Sequence, residues 1–368
     1  MTTFPLTTQA LVNTEPGGDF ELADVEIPEL RDDEVLVRIE AAGLCHTDIS
    51  VRDSLPAEMF PRVFGHEGAG VVEEVGDAVE GLTVGDCVVL SFRACRTCAN
   101  CTTLGVGYCE NSMAFNYMGV RPDGSTTLTR DGAPVHASFF GQSSFARHAV
   151  AYADNVVKVE PGSDLSRLGP FGCAFQTGGG SVLNVLQPGA NDSLVVYGVG
   201  AVGLAAIAAA TEVGTVIAVD LKPERLQAAA ALGAQTVNPT DADASVVDRV
   251  KELTGGGSSH ALDTTGVASL IKEAAAALRP RGQLVVLGLG DPELAFDAVD
   301  VMMNGKVVRG SIEGDSDPQA MIPTLLSRAA DGDFQVDHLI STYPFTDINT
   351  AGADLLSGKA IKPVLVWE

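Results

Sequence analysis

The run Leu194–Tyr197 is apolar throughout and leads directly into Gly198-Val-Gly200-Ala-Val-Gly203, where an alanine-rich stretch over Val202–Thr211 begins. Few sequence features restrict a fold so tightly. A buried strand that enters a helix through Gly-x-Gly-x-x-Gly uses its first glycine for a tight turn. The second lets a bound group approach the backbone, and the third lets helix and strand pack closely. Free N–H groups at the start of that helix, together with its dipole, favour an anion there. A purely structural glycine turn would share the pattern, so the residues that follow matter. Thr215–Val219 is a second strand-like run, and it ends on Asp220, seventeen residues after Gly203. A carboxylate at that place accepts hydrogen bonds from the ribose hydroxyls of NAD and repels the extra phosphate of NADP. The sequence therefore predicts a dinucleotide-binding unit that takes NAD.

The same texture continues on either side of Asp220. Pro223–Leu232 and Leu270–Leu278 read as helices, and Gln283–Gly288 as another buried strand. Strands and helices taking turns predict a parallel sheet covered on both faces. The first third is different and β-rich. Val35, Val37 and Ile39 alternate with Leu36, Arg38 and Glu40, the period of a half-buried strand. Gly70–Gly76 and Cys87–Leu90 read as further short strands, separated by turn signals such as Val84-Gly-Asp86. From about residue 313 a mixed texture returns and ends in the strand-like Val364–Trp367. With 368 residues, no tandem repeat and no low-complexity linker, two domains are expected.

Charge excludes one class of partner. The chain carries 48 acidic and 23 basic residues, a net charge of −25, and nucleic acid binding depends on clustered Lys and Arg. The acidity fits either salt adaptation or an ordinary acidic enzyme. The longest uncharged run, 194–210, holds glycines at 198, 200 and 203 and is short for a membrane span. The opening Met1-Thr-Thr-Phe-Pro5 shows no basic patch before an apolar stretch, so a cytoplasmic protein is expected.

In a reducing cytoplasm the seven cysteines point to metal, because Cys95, Cys98, Cys101 and Cys109 crowd into fifteen residues. Four close thiolates suit the closed tetrahedral site of a structural zinc, although an iron–sulfur cluster or a reactive thiol pair fits the spacing too. A catalytic zinc needs three protein ligands and an open position. Cys45, His66 and Cys173 could supply them, in Gly43-Leu-Cys-His-Thr-Asp48, Gly65-His-Glu-Gly68 and Gly172-Cys173. Taken one at a time, each reads equally well as a core residue. Cys87, among apolar strand residues, is assigned to the core.

Taken in order, these motifs resemble the medium-chain, zinc-containing alcohol dehydrogenases over essentially the whole chain. The resemblance implies a partly open, GroES-like β-barrel catalytic domain over 1–174 and 313–368, with a Rossmann domain over 175–312 and the active site in the cleft. It implies a catalytic zinc on Cys45, His66 and Cys173, with Asp48 hydrogen-bonded to His66 and Glu67 beside the metal as a possible transient ligand. It makes Cys95, Cys98, Cys101 and Cys109 the structural zinc site, giving two zinc ions per chain. Thr47 matches the hydroxyl that relays the alcohol proton. Ser50 stands where many members place a histidine at the end of that relay. His46, Arg225 and Lys362 match basic cofactor contacts, and Thr177, Gly198, Gly200, Val202, Gly203 and Asp220 match the rest of the NAD site. A homodimer or homotetramer is implied.

Phe139-Phe-Gly-Gln-Ser-Ser-Phe-Ala-Arg-His-Ala-Val150 and Gly172-Cys-Ala-Phe-Gln-Thr-Gly178 look most like the branch acting on aryl and allylic alcohols. There Phe92, Leu55, Phe139 and Phe140 are candidates for the substrate pocket. Two other readings stay open: a thiol-dependent formaldehyde dehydrogenase of the same fold, and a catalytically silent structural member. The first calls for basic residues at the cleft mouth, which are scarce here. The second typically lacks the zinc ligands, which this chain keeps.

Overall fold

In the computed structural model, which describes residues 2–241 and 245–367, the alternating strands of the second half lie side by side and parallel. Among the described residues this sheet has six strands. Their order is Gln235–Val237, Thr215–Val219, Ser193–Tyr197, Ser258–Asp263, Leu278–Val286 and Val307–Gly310. Numbered along the chain that is 3-2-1-4-5-6, the doubly wound order, in which the direction of winding reverses at the first strand. Ser193–Tyr197 and Ser258–Asp263 are buried along their whole length, so both faces need cover. On one face Val246 and Val250, and Ile271 and Ala274, pack from the helices Val246–Thr254 and Ala268–Ala277 against Val195, Ile217 and Ala261.

The chain separates into two compact units. One comprises Ala174–Ser316 and Thr324–Leu339; the other comprises Met1–Cys173, Asp317–Pro323 and Ile340–Glu368. The mixed texture after residue 313 predicts a single return to the first unit. Instead 324–339 stays with the parallel sheet. Phe334 packs edge to face on Phe175, with ring centroids 6.4 Å apart, and Leu325 fills the space beside Gly179. Texture records local period, not which core a helix joins.

In the first unit the long strand Glu34–Gly43 is central. It pairs antiparallel with Gly68–Val75, with His148–Tyr152 and with Lys362–Val366. Partners on both edges and cover on both faces override the half-buried alternation: Val35, Leu36, Val37 and Ile39 are all fully buried. Even Glu34 is buried, its carboxylate held by the Arg121 guanidinium at 2.8 Å. Cys87 opens its strand and is only half-buried, unlike the core residue the sequence predicted. Among the described residues, no helix is long and apolar enough to cross a membrane.

Candidate metal sites and dinucleotide turn

The central strand ends at Gly43, and two residues later Cys45 caps the helix His46–Ser54. His66 and Glu67 occupy the turn before Gly68–Val75, and Cys173 follows the short helical turn Gly169–Gly172. These three connections bring one ligand atom each from Cys45, His66, Glu67 and Cys173 within 4.8 Å of one another. Asp48 organises two of them. Its Oδ1 accepts from His66 Nδ1 at 2.9 Å and from Gly65 N at 3.1 Å, while Oδ2 accepts from Cys45 N at 3.0 Å.

With Nδ1 engaged, His66 presents Nε2 to the cluster. That nitrogen is fully buried and has no hydrogen-bond partner. Such an orphan costs about 1–3 kcal/mol unless something binds it. Burial disfavours a charged His66 ring, but Asp48 and Cys45 outweigh it and hold the pKa well above the ordinary value. The Cys45 thiol lies well below its usual range, chiefly through its hydrogen bond with Cys173 and against the effect of burial. Two cysteine sulfurs and a buried imidazole nitrogen that lacks a partner fit zinc with an open position.

Glu67 faces the same cluster but is engaged elsewhere. Lys362 Nζ lies 2.8 Å from both of its carboxylate oxygens and 3.4 Å from Leu44 O. Lys362 is 1% exposed. Lys362, a cofactor contact by family resemblance, is paired here with a buried carboxylate that would otherwise carry an uncompensated charge. Burial still pushes the Glu67 pKa upward, with Lys362 opposing.

Rings cover the histidine. Phe140 lies tilted over His66 with centroids 4.6 Å apart, and Phe139 meets it edge to face at 5.5 Å. Tyr117 packs on both phenylalanines, at 5.3 and 6.0 Å. The segment carrying them is unusual, because Ser138, Phe140, Gly141 and Ser143 all have left-handed φ, between 53 and 68°. Side chains hold it there. Ser143 Oγ donates to Val63 O at 2.7 Å and accepts from Phe139 N at 2.9 Å. Gln142 Nε2 donates to His66 O and Ser91 O, and its Oε1 accepts from Gly68 N, all within 3.1 Å. Backbone held this way persists only where its surroundings over-determine it.

Phe92 and Leu55, the other pocket candidates, lie within the core of this unit and at its edge. Tyr117, Gln142 and the buried Arg62, whose guanidinium lies 5.6 Å over Phe139, were not foreseen. A glutamine between Phe140 and Phe145 is the signal in the sequence.

The second group of donors is Cys95, Cys98, Cys101 and Cys109, whose sulfurs also lie within 4.8 Å of one another. Cys95 is 3.6 Å from Cys109 and 4.0 Å from Cys101. Four sulfurs about 2.3 Å from one ion span tetrahedron edges of about 3.8 Å. A cluster spreads its thiolates over several irons and needs them farther apart. Backbone N–H groups of Cys98, Cys101 and Glu110 point at these sulfurs, and the N–H groups at Cys95 bring its thiol down to about 5.

In the second unit the three glycines take three different roles. Gly198 has φ +81°, and a Cβ there would strike Thr265 and Thr264. A Cβ on Gly200 would meet nothing within 4 Å, whereas one on Gly203 would collide with the Gly198 carbonyl. Tight turn, open approach and close packing are what a dinucleotide turn demands. Asp220 accepts from Val199 N and Lys222 N, each at 2.8 Å, which fixes its carboxylate beside the turn. Arg225 lies 3.8 Å from Asp220. Val202 sits in the first turn of the helix Ala201–Ala209. Thr177 lies on the helix Ala174–Gly180, where Gly178 packs onto Val202 and Ala206. In the first unit, His46 and Ser50 are exposed on their helix, and Thr47 Oγ1 accepts from the Cys45 thiol at 3.7 Å.

Residues 31–161 match the alcohol dehydrogenase GroES-like domain family, and 201–331 match the zinc-binding dehydrogenase family. A geraniol dehydrogenase of Castellaniella defragrans is 41% identical over 367 residues, 98% of either chain. The crystal structure of an alcohol dehydrogenase zinc-binding domain protein from Burkholderia ambifaria superposes with a TM-score of 0.94 at 42% identity, covering 98% of this chain and 99% of that one. That of the benzyl alcohol dehydrogenase of Acinetobacter calcoaceticus gives 0.94 at 37% identity over 99% and 100%.

Proposed function

Because the chain belongs to the zinc-dependent medium-chain alcohol dehydrogenases, which use NAD, we propose that it interconverts primary aromatic or allylic alcohols and their aldehydes. The observation that carries this substrate class is the aromatic cover on His66 by Phe139 and Phe140, which Tyr117 backs. A metal polarises any alcohol, so selectivity has to come from what surrounds the rest of the molecule. An apolar wall rewards buried area at about 25 cal/mol per Å². A phenyl or prenyl group therefore gains about 2–3 kcal/mol over a methyl. The geraniol and benzyl alcohol dehydrogenases among the relatives support the same class.

Cys45, His66 and Cys173 would hold the catalytic zinc, with Glu67 standing by. Bound there, zinc supplies the Lewis acidity that makes an alcohol hydroxyl acidic near neutral pH, and NAD supplies the hydride acceptor. Asp48 fixes the His66 tautomer so that Nε2 faces the site. The Thr47 hydroxyl takes the alcohol proton. Since the exposed Ser50 stands where a histidine would end the relay, the proton leaves to water without a side-chain base at that position. Phe140 and Phe139 exclude water from the reacting carbon. In the second unit, the turn that Gly198 and Gly203 shape receives the pyrophosphate beside Gly200, and Asp220 holds the ribose.

The outer edge of the parallel sheet supports a homo-oligomer, at least a dimer. Val307–Gly310 is an edge strand, and Leu289, Met302 and Met303 nearby are 70–74% exposed. A second copy would cover both the open strand and this apolar surface. A cytoplasmic setting suits seven cysteines without a disulfide.

The test is kcat/KM with NAD for benzyl alcohol, geraniol, ethanol, and formaldehyde with and without a small thiol. Benzyl alcohol and geraniol should exceed ethanol by about tenfold or more. Ethanol matching them would sink the substrate class, and turnover that requires thiol would transfer the chain to the formaldehyde reading.

A further inference from the structure

Three residues in a row, Glu313, Gly314 and Asp315, have left-handed φ values of 52, 67 and 50°. Only Gly314 takes that conformation without strain, so the other two are held in it from outside. Asp315 is tied down by Arg309 Nη2 at 2.6 Å and Ser311 Oγ at 2.9 Å. Gly314 is pressed against the helix Ala174–Gly180: a Cβ on it would lie 2.7 Å from Gly180 Cα and 2.8 Å from Gln176 O. Its carbonyl accepts from Asn184 Nδ2 at 3.1 Å, just beyond that helix, where the chain widens into a π turn over Ser181–Leu186. Interruptions of that kind gather at functional sites.

This scaffold delivers one carboxylate. Glu313 is 9% exposed, and its Oε2 accepts from Thr177 Oγ1 at 3.0 Å and from Gln176 Nε2 at 3.1 Å. The next residue, Gly178, packs onto Val202 and Ala206, in the helix that opens from the dinucleotide turn. Thr177 is therefore held on one side by an acidic side chain on a strained loop, and adjoins the phosphate-binding helix on the other.

We propose that Glu313 is a positioning residue for the cofactor, orienting the Thr177 hydroxyl so that the face of helix Ala174–Gly180 beside the dinucleotide turn is set before NAD arrives. This rests on reading the second unit as the NAD site. A hydroxyl that donates to a carboxylate keeps its lone pairs directed outward, available to a donor on the ligand. The strain is then stored in the cofactor-free protein and spares the ligand the cost of ordering this face.

The experiment is fluorescence titration of NADH into the zinc-loaded full-length protein, in wild type, Glu313→Gln, Thr177→Val and the double variant, with KM values for NAD and for benzyl alcohol. Glu313→Gln should weaken NADH by about tenfold and raise KM for NAD while leaving KM for the alcohol unchanged. In the Thr177→Val background it should cost nothing further. Glu313→Asp, one methylene shorter but still charged, serves if Glu313→Gln does not fold, and should show the same loss confined to the cofactor. Unchanged NADH affinity in a folded Glu313 variant, with wild type binding normally, overturns the proposal alone. Losses that simply add in the double variant also overturn it, since Glu313 would then act on the fold and not through Thr177. Wild type that binds no NADH overturns the reading of the site, and the proposal with it.

Discussion

A single methyl group, added at two positions of the dinucleotide turn, should cause two different failures. Gly200 has ordinary extended backbone, φ −74° and ψ −162°, and a Cβ there would meet nothing within 4 Å. Gly200→Ala is therefore tolerated by the fold, and the narrower unfolded ensemble should add about 0.4–1 kcal/mol of stability. The open space it fills is the one through which the pyrophosphate would reach the helix N-terminus. Displacing a phosphate from those N–H groups loses charge-assisted hydrogen bonds of about 1.5–3 kcal/mol, or roughly 10- to 100-fold in NADH affinity. Gly203→Ala is the opposite case. Its methyl would be driven against the Gly198 carbonyl, 3.1 Å from the carbonyl carbon and closer still to the oxygen, with Val196 Cγ1 at 3.1 Å behind it. Neither the turn nor the buried strand can yield, so an overpacking cost of about 1–3 kcal/mol is expected. For a domain of this size that is a fall of about 2–4 °C in melting temperature per kcal/mol. Thermal melting of the cofactor-free variants and fluorescence titration with NADH separate the two effects. Gly200→Ala binding NADH as tightly as wild type would refute the path assigned to the phosphates. Gly203→Ala melting with wild type would refute the packing role.

Metal analysis of replete protein should return two zinc equivalents, one for each group of ligands; Cys173→Ser should remove one and nearly all turnover, and full activity in that variant would remove Cys173 from the ligand set. Cys98→Ser should act first on stability, because a closed site contributes folding energy; intact melting with lost catalysis would contradict that division. Asp220→Gly should cost NAD about 10- to 100-fold while improving NADP, as the ribose contacts and the repulsion vanish together; a wild type using both cofactors equally would cancel the assignment. Light scattering should give at least a dimer, and Val307→Lys at the sheet edge should dissociate it; an unchanged mass would move the interface elsewhere.

What could be read from sequence depended on how far each feature reaches along the chain. The turn at 198–203 is local. Its three glycines follow from backbone geometry over six residues, and the structure gives each one the steric surroundings its role needs. The four-cysteine lobe is equally local. The trio Cys45, His66 and Cys173 spans 129 positions, and spacing could not join it; an ordered set of motifs did so by resemblance, and a cluster within 4.8 Å follows from three connections meeting. Strand burial was misjudged at Val35–Ile39 because alternation reports one pair of neighbours, whereas this strand has partners on both edges.

Lys362 marks where such reasoning stops. As a lone basic residue it reads as surface, and by resemblance as a cofactor contact. Only when Lys362–Val366 pairs with the far end of Glu34–Gly43 does its side chain enter the space behind the cluster and meet Glu67, 295 residues away. A carboxylate as buried as Glu67 would carry an uncompensated charge if alone; Lys362 on both oxygens counters that charge and holds the group one residue from His66. The site thus depends on a counter-charge from the last strand. No local period or motif could announce it, because its cause is electrostatic and its partner is brought near only by the closed sheet.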